Sequence, residues 1–362
     1  MRTVLGIETS CDETAAAVVV DGRSALSNIV ASQMTLHQAY GGVVPEIASR
    51  QHLDAIADVV ARAVEPLDDG FRGLDGIAVT YGPGLVGALL VGLSYAKALA
   101  LTLGVPFVGV HHIEGHMFST TFEYGAWDYP ALALIVSGGH TDLFHIAAPF
   151  AYERIGHTRD DAAGEAYDKT ARRLGLGYPG GPILDRLARA GQPDHAPLVY
   201  RPPLIPDAPY DFSFSGLKTA VLRYIREHQV APLPEGIHPE DISAQAPDSI
   251  RNLAASFQRA VVNTLVGVLE RAIDAYHPRL VVTGGGVVCN TGLRQALADL
   301  AHRKGIEIRV PHPKYTTDNA AMIAAAGYAR LARGERHDWS LEPAPSLRLG
   351  QVPAEHSRHF RA

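Results

Sequence analysis

Two stretches of this chain repeat one design, and an internal copy of a supersecondary unit constrains a fold more than any single motif does. The first covers residues 3 to 20. It has an apolar run from Val4 to Ile7, a turn Glu8-Thr9-Ser10-Cys11-Asp12-Glu13-Thr14 of hydroxyls, carboxylates and small side chains, and a second apolar run from Ala15 to Val20. The second covers residues 131 to 146, with Ala131 to Val136, the glycine turn Ser137-Gly138-Gly139-His140-Thr141, and Leu143-Phe144-His145-Ile146. Short apolar runs bounded by polar or glycine turns read as hairpins. Two of them, about half a chain apart, predict a duplicated two-lobed α/β architecture whose turns suit a phosphate or its metal.

The 362 residues suffice for two such lobes with well-buried cores. Hydrophobic residues at 47% and charged residues at 19% give the balance of a soluble globular protein. Glu8 interrupts the first apolar run too early for a secretory segment, and no unbroken apolar run approaches membrane-span length, so a cytoplasmic protein without a membrane partner is expected. Cys11 and Cys289 are too few for a disulfide framework or a thiolate cage. At a net charge of -6 there is no global basic field, so a nucleic-acid partner has to be held by a local patch or with a helper subunit.

Between the hairpins, Gly41 to His52 leads into a helix ending about Val64, and Gly76 to Thr80 reads as a strand ending at Tyr81-Gly82-Pro83-Gly84-Leu85. The helix that follows carries Gly87, Ala88, Gly92, Ala96 and Ala98, small residues that predict close packing on the sheet. Beyond the second hairpin a carboxylate-rich helix is expected from Asp160 to Lys169, stopped by the turn cluster Gly175 to Pro182. Residues 195 to 216 read as irregular and 228 to 248 as a flexible insert. A long amphipathic helix then spans about Ser249 to Tyr276, and strand Leu280 to Thr283 opens onto Gly284-Gly285-Gly286 ahead of a helix near Thr291, an arrangement that can cradle a nucleotide. From about Arg333 the arginine-, proline- and histidine-rich sequence reads as a loosely ordered tail able to touch polyanions.

The stretch His111-His112-Ile113-Glu114-Gly115-His116 follows a short strand, Pro106 to Val110. His112 and His116, four residues apart, share one helical face at metal-ligand spacing. In the His-Glu-x-x-His helix of metalloproteases the glutamate follows the first histidine directly and serves as base. Glu114 instead sits two positions on, about 200° round the helix, and points away from a metal on the histidine face.

These segments, together with Gly82-Pro83-Gly84-Leu85, Tyr178-Pro179-Gly180-Gly181-Pro182, Phe212-Ser213-Phe214-Ser215-Gly216-Leu217-Lys218 and Thr317-Asp318-Asn319, follow in order and spacing from about residue 1 to 330. Collinear in this way, they resemble the TsaD type of tRNA N6-adenosine threonylcarbamoyltransferases. The chain departs from that pattern at Val287-Val288-Cys289, where small residues usually precede the asparagine matched by Asn290.

The resemblance implies an actin/hexokinase/Hsp70-like (ASKHA) fold of duplicated ribonuclease-H-like lobes with nucleotide in the cleft between them. Lobes are expected at 1–130 and 131–330, with a tail at 331–362. It implies one metal, Fe(II) with Zn as the alternative, on His112, His116 and Asp318. It also implies an adenylate pocket formed by Val136, Ser137, Gly138, Gly139, His140, Asp168, Gly181, Asp185 and Asn290, taking threonylcarbamoyl-AMP or ATP/ADP. The implied reaction moves a threonylcarbamoyl group from its adenylate to the exocyclic amine of the adenosine beside the anticodon, in tRNAs reading codons that begin with A. Accessory subunits of the TsaB and TsaE type are the implied partners.

The donor is already a mixed anhydride, so positioning can carry the reaction without a covalent enzyme intermediate. Cys11 reads as small buried packing. Lys169 and Lys218 suit either a phosphate or ordinary salt bridges. A metalloendopeptidase, a sugar or acid kinase of the same fold, and a nucleotide-binding subunit inactive alone are the rival readings.

Overall fold

The structure, a computed structural model, describes residues 2–350 apart from 39, 203, 235–236 and 238–240. It divides into two units, one holding the chain up to Trp127 together with the part from Pro311 onward, the other Asp128–Val310.

In the first unit, β1 (Thr3–Glu8) pairs antiparallel with β2 (Glu13–Val20), which also carries β3 (Ser24–Ala25) and β4 (Ile29–Ser32). On its other side β1 runs parallel to β5 (Gly76–Gly82), and β5 to β6 (Phe107–His111). Alternation along the strands sends Leu5, Ile7, Ala16 and Val18 to one face, against the helix Pro45–Val64 and Leu93 of the helix Val86–Leu103. Val4, Ala15, Ala17 and Val19 go to the other, against the closing helix Ala320–Ala332. Covered on both faces, these strands are continuously apolar in sequence, which is why they can be read from it directly.

The closing helix can lie this close because its inward face is nearly all alanine and because residue 6 is glycine. A Cβ at Gly6 would stand 2.2 Å from the Ala320 carbonyl oxygen. Lobe bounds of 1–130 and 131–330 assign this helix to the second lobe; in the structure it packs in the first unit.

Val86–Leu103 has a mean hydropathy of 1.7 and the length of a membrane span. Yet Ala88, Leu89, Gly92, Leu93, Ala96 and Ala100 are buried in the unit, and a Cβ at Gly92 would meet Thr9 Oγ1 at 2.3 Å, the close packing its small residues predict. Residues 333–350 correct the expectation of a loose tail. Leu341, Ala344 and Leu347 pack on the first unit's core, the Ala344 amide donates to the Tyr81 carbonyl, and the Lys97 ammonium donates to the carbonyls of Trp339 and Leu341. Residues 351–362 of that tail lie outside the described residues.

The second unit repeats the hairpin as β7 (Ala131–Val136) and β8 (Thr141–Ile146). To these are added β9 (Tyr152–His157), antiparallel to β8, then β10 (Leu280–Gly284), parallel to β7, and β11 (Glu307–Arg309), parallel to β10. Its core joins Leu132, Leu134 and Val136 to the helix Asp248–Tyr276, and Tyr167, Phe212, Phe214 and Phe257 are fully buried there. Each such side chain contributes roughly 1.5–3 kcal/mol by leaving water. The insert reading of 228–248 is corrected where the chain is described. Val230, Leu233, Ile242 and Ala246 belong to this core, and the Leu233 amide donates to the Leu174 carbonyl.

Candidate functional site

β6 ends at His111, whose Nδ1 accepts the Ile113 amide at 3.1 Å and so starts the helix His112–Phe118. Asp318 is fixed from the other end of the unit. The turn Pro313–Tyr315 precedes it, and Asn319 after it caps the closing helix by accepting the Met322 amide at 3.1 Å. The two segments bring His112, His116 and Asp318 together with ligand atoms within 4.8 Å of one another. Asp318 Oδ1 lies 3.2 Å from His116 Nε2 and 3.5 Å from His112 Nε2, and the two imidazoles meet edge to face, 4.7 Å between centroids.

This group fits a metal ion. His116 is fully buried; its Nδ1 has no hydrogen-bond partner among the described residues, and its Nε2 faces only the Asp318 carboxylate. Burial costs this imidazole its hydration, and an ion shared by Nε2 and the Asp318 carboxylate offsets that cost. Burial also pushes the His116 pKa down, leaving the neutral form that ligates.

Glu8, at the end of β1, is a contributor that the sequence reading did not single out. Its carboxylate is fully buried and accepts from the Ser10 amide at 2.5 Å and from Thr80 Oγ1 at 2.6 Å, with His112 Nδ1 at 3.0 Å. Burial alone would raise its pKa, but His112 and the bond from Ser10 outweigh burial and hold it below the usual carboxylate range. His112 therefore donates from Nδ1 and presents Nε2 to Asp318, the arrangement by which a carboxylate orients a metal-ligating histidine. For His112 itself burial disfavours charge, yet Asp318 and Glu8 together raise it to about 9. Ser10 Oγ meets the same Nδ1 at 3.2 Å, so serine and glutamate share one nitrogen and no serine–histidine relay exists. The sequence signal for Glu8 was a lone carboxylate closing a strand buried along its whole length.

Glu114 does point away from the histidine face, into a paired environment. It is fully buried, and Arg330 of the closing helix grips it with two bonds of 2.8 and 2.9 Å. Cys11 is pushed far up by burial and the nearby carboxylates Asp12, Asp318 and Glu8, which keeps it a thiol. Glu13 is raised by burial to about 7; Ser32 donates to its Oε1, while its Oε2 is buried without a partner among the described residues.

In the second unit the turn after β7 closes on itself, Ser137 donating its amide to the His140 carbonyl and accepting the His140 amide on Oγ. The Gly138 and Gly139 amides are not used in that closure, and both residues are exposed. The helix Ala163–Arg173 abuts the turn because residue 164 is glycine; a Cβ there would lie 2.7 Å from the Ser137 carbonyl oxygen and 2.8 Å from Gly138 Cα.

Asp168, Asp185 and Asn290 each hold a helix N-terminus. Asp168 accepts the Gly180 amide at 2.8 Å at the start of the helix Gly180–Ala190, and burial raises its pKa against that bond. Asp185 accepts the Thr291 amide and hydroxyl, and Asn290 caps the helix Thr291–Lys304 through the Leu293 amide while donating to Gln258 and Tyr167. Gly181, with open space where its Cβ would be, leaves the start of its helix accessible. Helix N-termini attract anions, and here the Asp168 and Asp185 carboxylates already take that place.

The carboxylates expected at the start of the Ala163 helix precede it and tie in the Asp211–Lys218 motif. Asp160 accepts the Ser213 hydroxyl and the Phe214 and Ser215 amides; Asp161 pairs with Lys169 and Lys218, and Asp211 with Arg159. Both lysines are thereby in salt bridges.

The sequence model of TsaD, tRNA N6-adenosine threonylcarbamoyltransferase, matches residues 24–325. The enzyme of that name from Symbiobacterium thermophilum is 50% identical over 347 residues, 96% of this chain and 97% of its own. That from Clostridioides difficile is 49% identical over 347 residues, covering 96% and 98%. Among solved structures, HypF of T. kodakarensis superposes with a TM-score of 0.59 at 14% identity, over 92% of this chain and 48% of its own. Component A of the Acidaminococcus fermentans (R)-2-hydroxyglutaryl-CoA dehydratase gives 0.51 at 15%, over 92% and 100%. At such identities these likenesses speak for the fold alone, the ASKHA fold. Near-full-length identity of one half is of another order, and by it this chain belongs to the tRNA N6-adenosine threonylcarbamoyltransferase family.

Proposed function

We propose that this chain transfers a threonylcarbamoyl group from threonylcarbamoyl-AMP to the N6 amine of the adenosine beside the anticodon, in tRNAs reading codons that begin with A. The single observation that carries this reading is identity of about half the residues over nearly the whole of both chains. In the reaction the amine forms a bond to the carbamoyl carbon, the bond from that carbon to the phosphate oxygen breaks, AMP leaves with the electron pair, and one amine proton is lost. Nothing in this requires an enzyme nucleophile, in keeping with a Cys11 thiol held protonated and a Ser10 hydroxyl without a base.

His112, His116 and Asp318 are the residues that hold the metal. Two histidines and a carboxylate with open positions are the donor set of non-haem Fe(II) sites, which favours Fe(II) and leaves Zn(II) as the alternative. Bound there, the ion supplies a Lewis-acidic point that can orient the carboxylate or hydroxyl of the threonyl group. Glu8 fixes the His112 tautomer. For the adenylate or ATP/ADP, the Ser137–His140 turn following Val136 offers the Gly138 and Gly139 amides to phosphate, and Gly181, at the helix start that Asp168 caps, leaves room for the nucleotide. Asp168, Asp185 and Asn290 serve as posts that aim the helix starts lining the pocket.

The net charge of -6 gives tRNA little general attraction, so docking is shared with accessory subunits of the TsaB and TsaE type, in the cytoplasm. The test is direct. The protein, those subunits, unmodified tRNA and threonylcarbamoyl-AMP are incubated, and digested nucleosides are weighed by mass spectrometry. N6-threonylcarbamoyladenosine is expected; its absence, or release of AMP with no modified nucleoside, contradicts the reading.

A further inference from the structure

The segment from Gln33 to His52 carries two histidines that the metal group does not use, His37 and His52, both fully buried. His52 Nε2 lies 3.0 Å from the Cys11 carbonyl oxygen, which can only accept, so the ring proton is on Nε2. Nδ1 is then an acceptor, and Thr14 Oγ1 donates to it at 2.8 Å. One imidazole thus grips both ends of the turn that joins β1 to β2. Between those ends the Gln33 amide donates to the Asp12 carbonyl at 3.0 Å. Gln33 is held in turn, its Oε1 accepting from His37 Nε2 at 3.1 Å while His37 Nδ1 accepts the Val44 amide at 3.3 Å.

The turn so held begins at Ser10, whose amide donates to Glu8 and whose hydroxyl meets His112 Nδ1. We propose that His52 is a positioning residue for the metal group. By clamping Cys11 and Thr14 it holds Ser10, and through it Glu8, against His112, and so directs the ligating Nε2. The inference rests on the reading of His112 as a metal ligand. Burial obliges the ring to find partners for both nitrogens, and here both partners lie on the turn; whether that grip serves the metal group can be measured.

Glutamine places its amide nitrogen where the imidazole Nε2 sits and can still donate to the Cys11 carbonyl. Asparagine places its amide where Nδ1 sits, can accept from Thr14, and cannot reach Cys11. Chelator-stripped wild type, His52→Gln, His52→Asn and His112→Ala, each checked for cooperative thermal unfolding, are titrated with Zn(II) by calorimetry. Expected are wild-type affinity within about threefold for His52→Gln, a loss of about tenfold for His52→Asn, the low end of what outer partners of metal ligands contribute, and no measurable site in His112→Ala. Equal affinity in His52→Gln and His52→Asn overturns the proposal while leaving the metal reading intact. Wild-type binding by His112→Ala overturns both.

Discussion

His112 shows how much of this site is decided by one proton. Without metal, burial disfavours its charged form, but Asp318 and Glu8 prevail and raise it to about 9. A folded-state pKa above the ordinary value of about 6.5 means that the protonated imidazole stabilises the metal-free fold fully below about 6.5, and that this contribution is lost as pH rises through about 9. A metal ion competes for the same nitrogen and must displace that proton. Apparent Zn(II) affinity of the stripped protein is therefore expected to rise by up to about tenfold per pH unit between about 6.5 and 9 and then to level off, with proton release seen as a buffer-dependent heat. A flat profile over that range, in calorimetry across buffers, would show that His112 is not protonated there.

At this scale the sequence was partly legible. The spacing of His112 and His116 marks a ligand pair, and the offset of Glu114 announces a side chain committed elsewhere. Its actual partner, Arg330, stands more than two hundred residues away, beyond the reach of any local pattern. Glu8 and His52 were invisible as partners for the same reason. A carboxylate at a strand end and a histidine in a helix acquire their meaning only from what the fold places opposite them.

Among the elements, the closing helix has the largest part, because the residue just before its cap is Asp318. Its seat depends on Gly6 in β1, where a Cβ would come within 2.2 Å of the Ala320 carbonyl and 2.7 Å of the Ala324 amide, both backbone atoms that cannot swing aside. Gly6→Ala is expected to destabilise the protein by about 1–3 kcal/mol, as overpacking does, and to weaken Zn(II) binding although no ligand is touched. Urea unfolding paired with a metal titration checks this; unchanged values in both would mean that the helix is not seated as described.

The hairpins and the long helices were readable because apolar strands around a polar or glycine turn, and apolar residues at helical spacing, leave a local trace. The helix Gly180–Ala190 was hidden within a reading of Gly-Gly-Pro as a turn, although proline is accommodated in a first helical turn. The helix Ser215–Glu227 is masked in sequence by the proline-rich stretch before it, although Leu217, Ala220 and Val221 are buried at helical spacing. Strands β9 and β11 have too few inward residues to show an alternation. The tail at 333–350 read as loose because its composition is polar, and only a few apolar side chains such as Leu341 and Leu347 seat it.

Over the whole molecule, the duplication legible in the two hairpins recurs as two α/β units, each with a turn at the end of its first strand. The chain's return at Pro311 to its first unit was not legible, since a helix's sequence says which face is apolar but not which sheet receives it. That return joins Asp318 to the two histidines, so the metal group exists only in the assembled first unit.

The proposed role of this group is in threonylcarbamoyl transfer to tRNA. Its most direct test compares wild type and Asp318→Ala, matched for folding, in the reconstituted reaction with tRNA, threonylcarbamoyl-AMP and accessory subunits, read as N6-threonylcarbamoyladenosine per tRNA by mass. Wild type is predicted to form the nucleoside and Asp318→Ala to fall by more than about a hundredfold, beyond what the loss of an outer partner would cost. Equal product from the two proteins would contradict it.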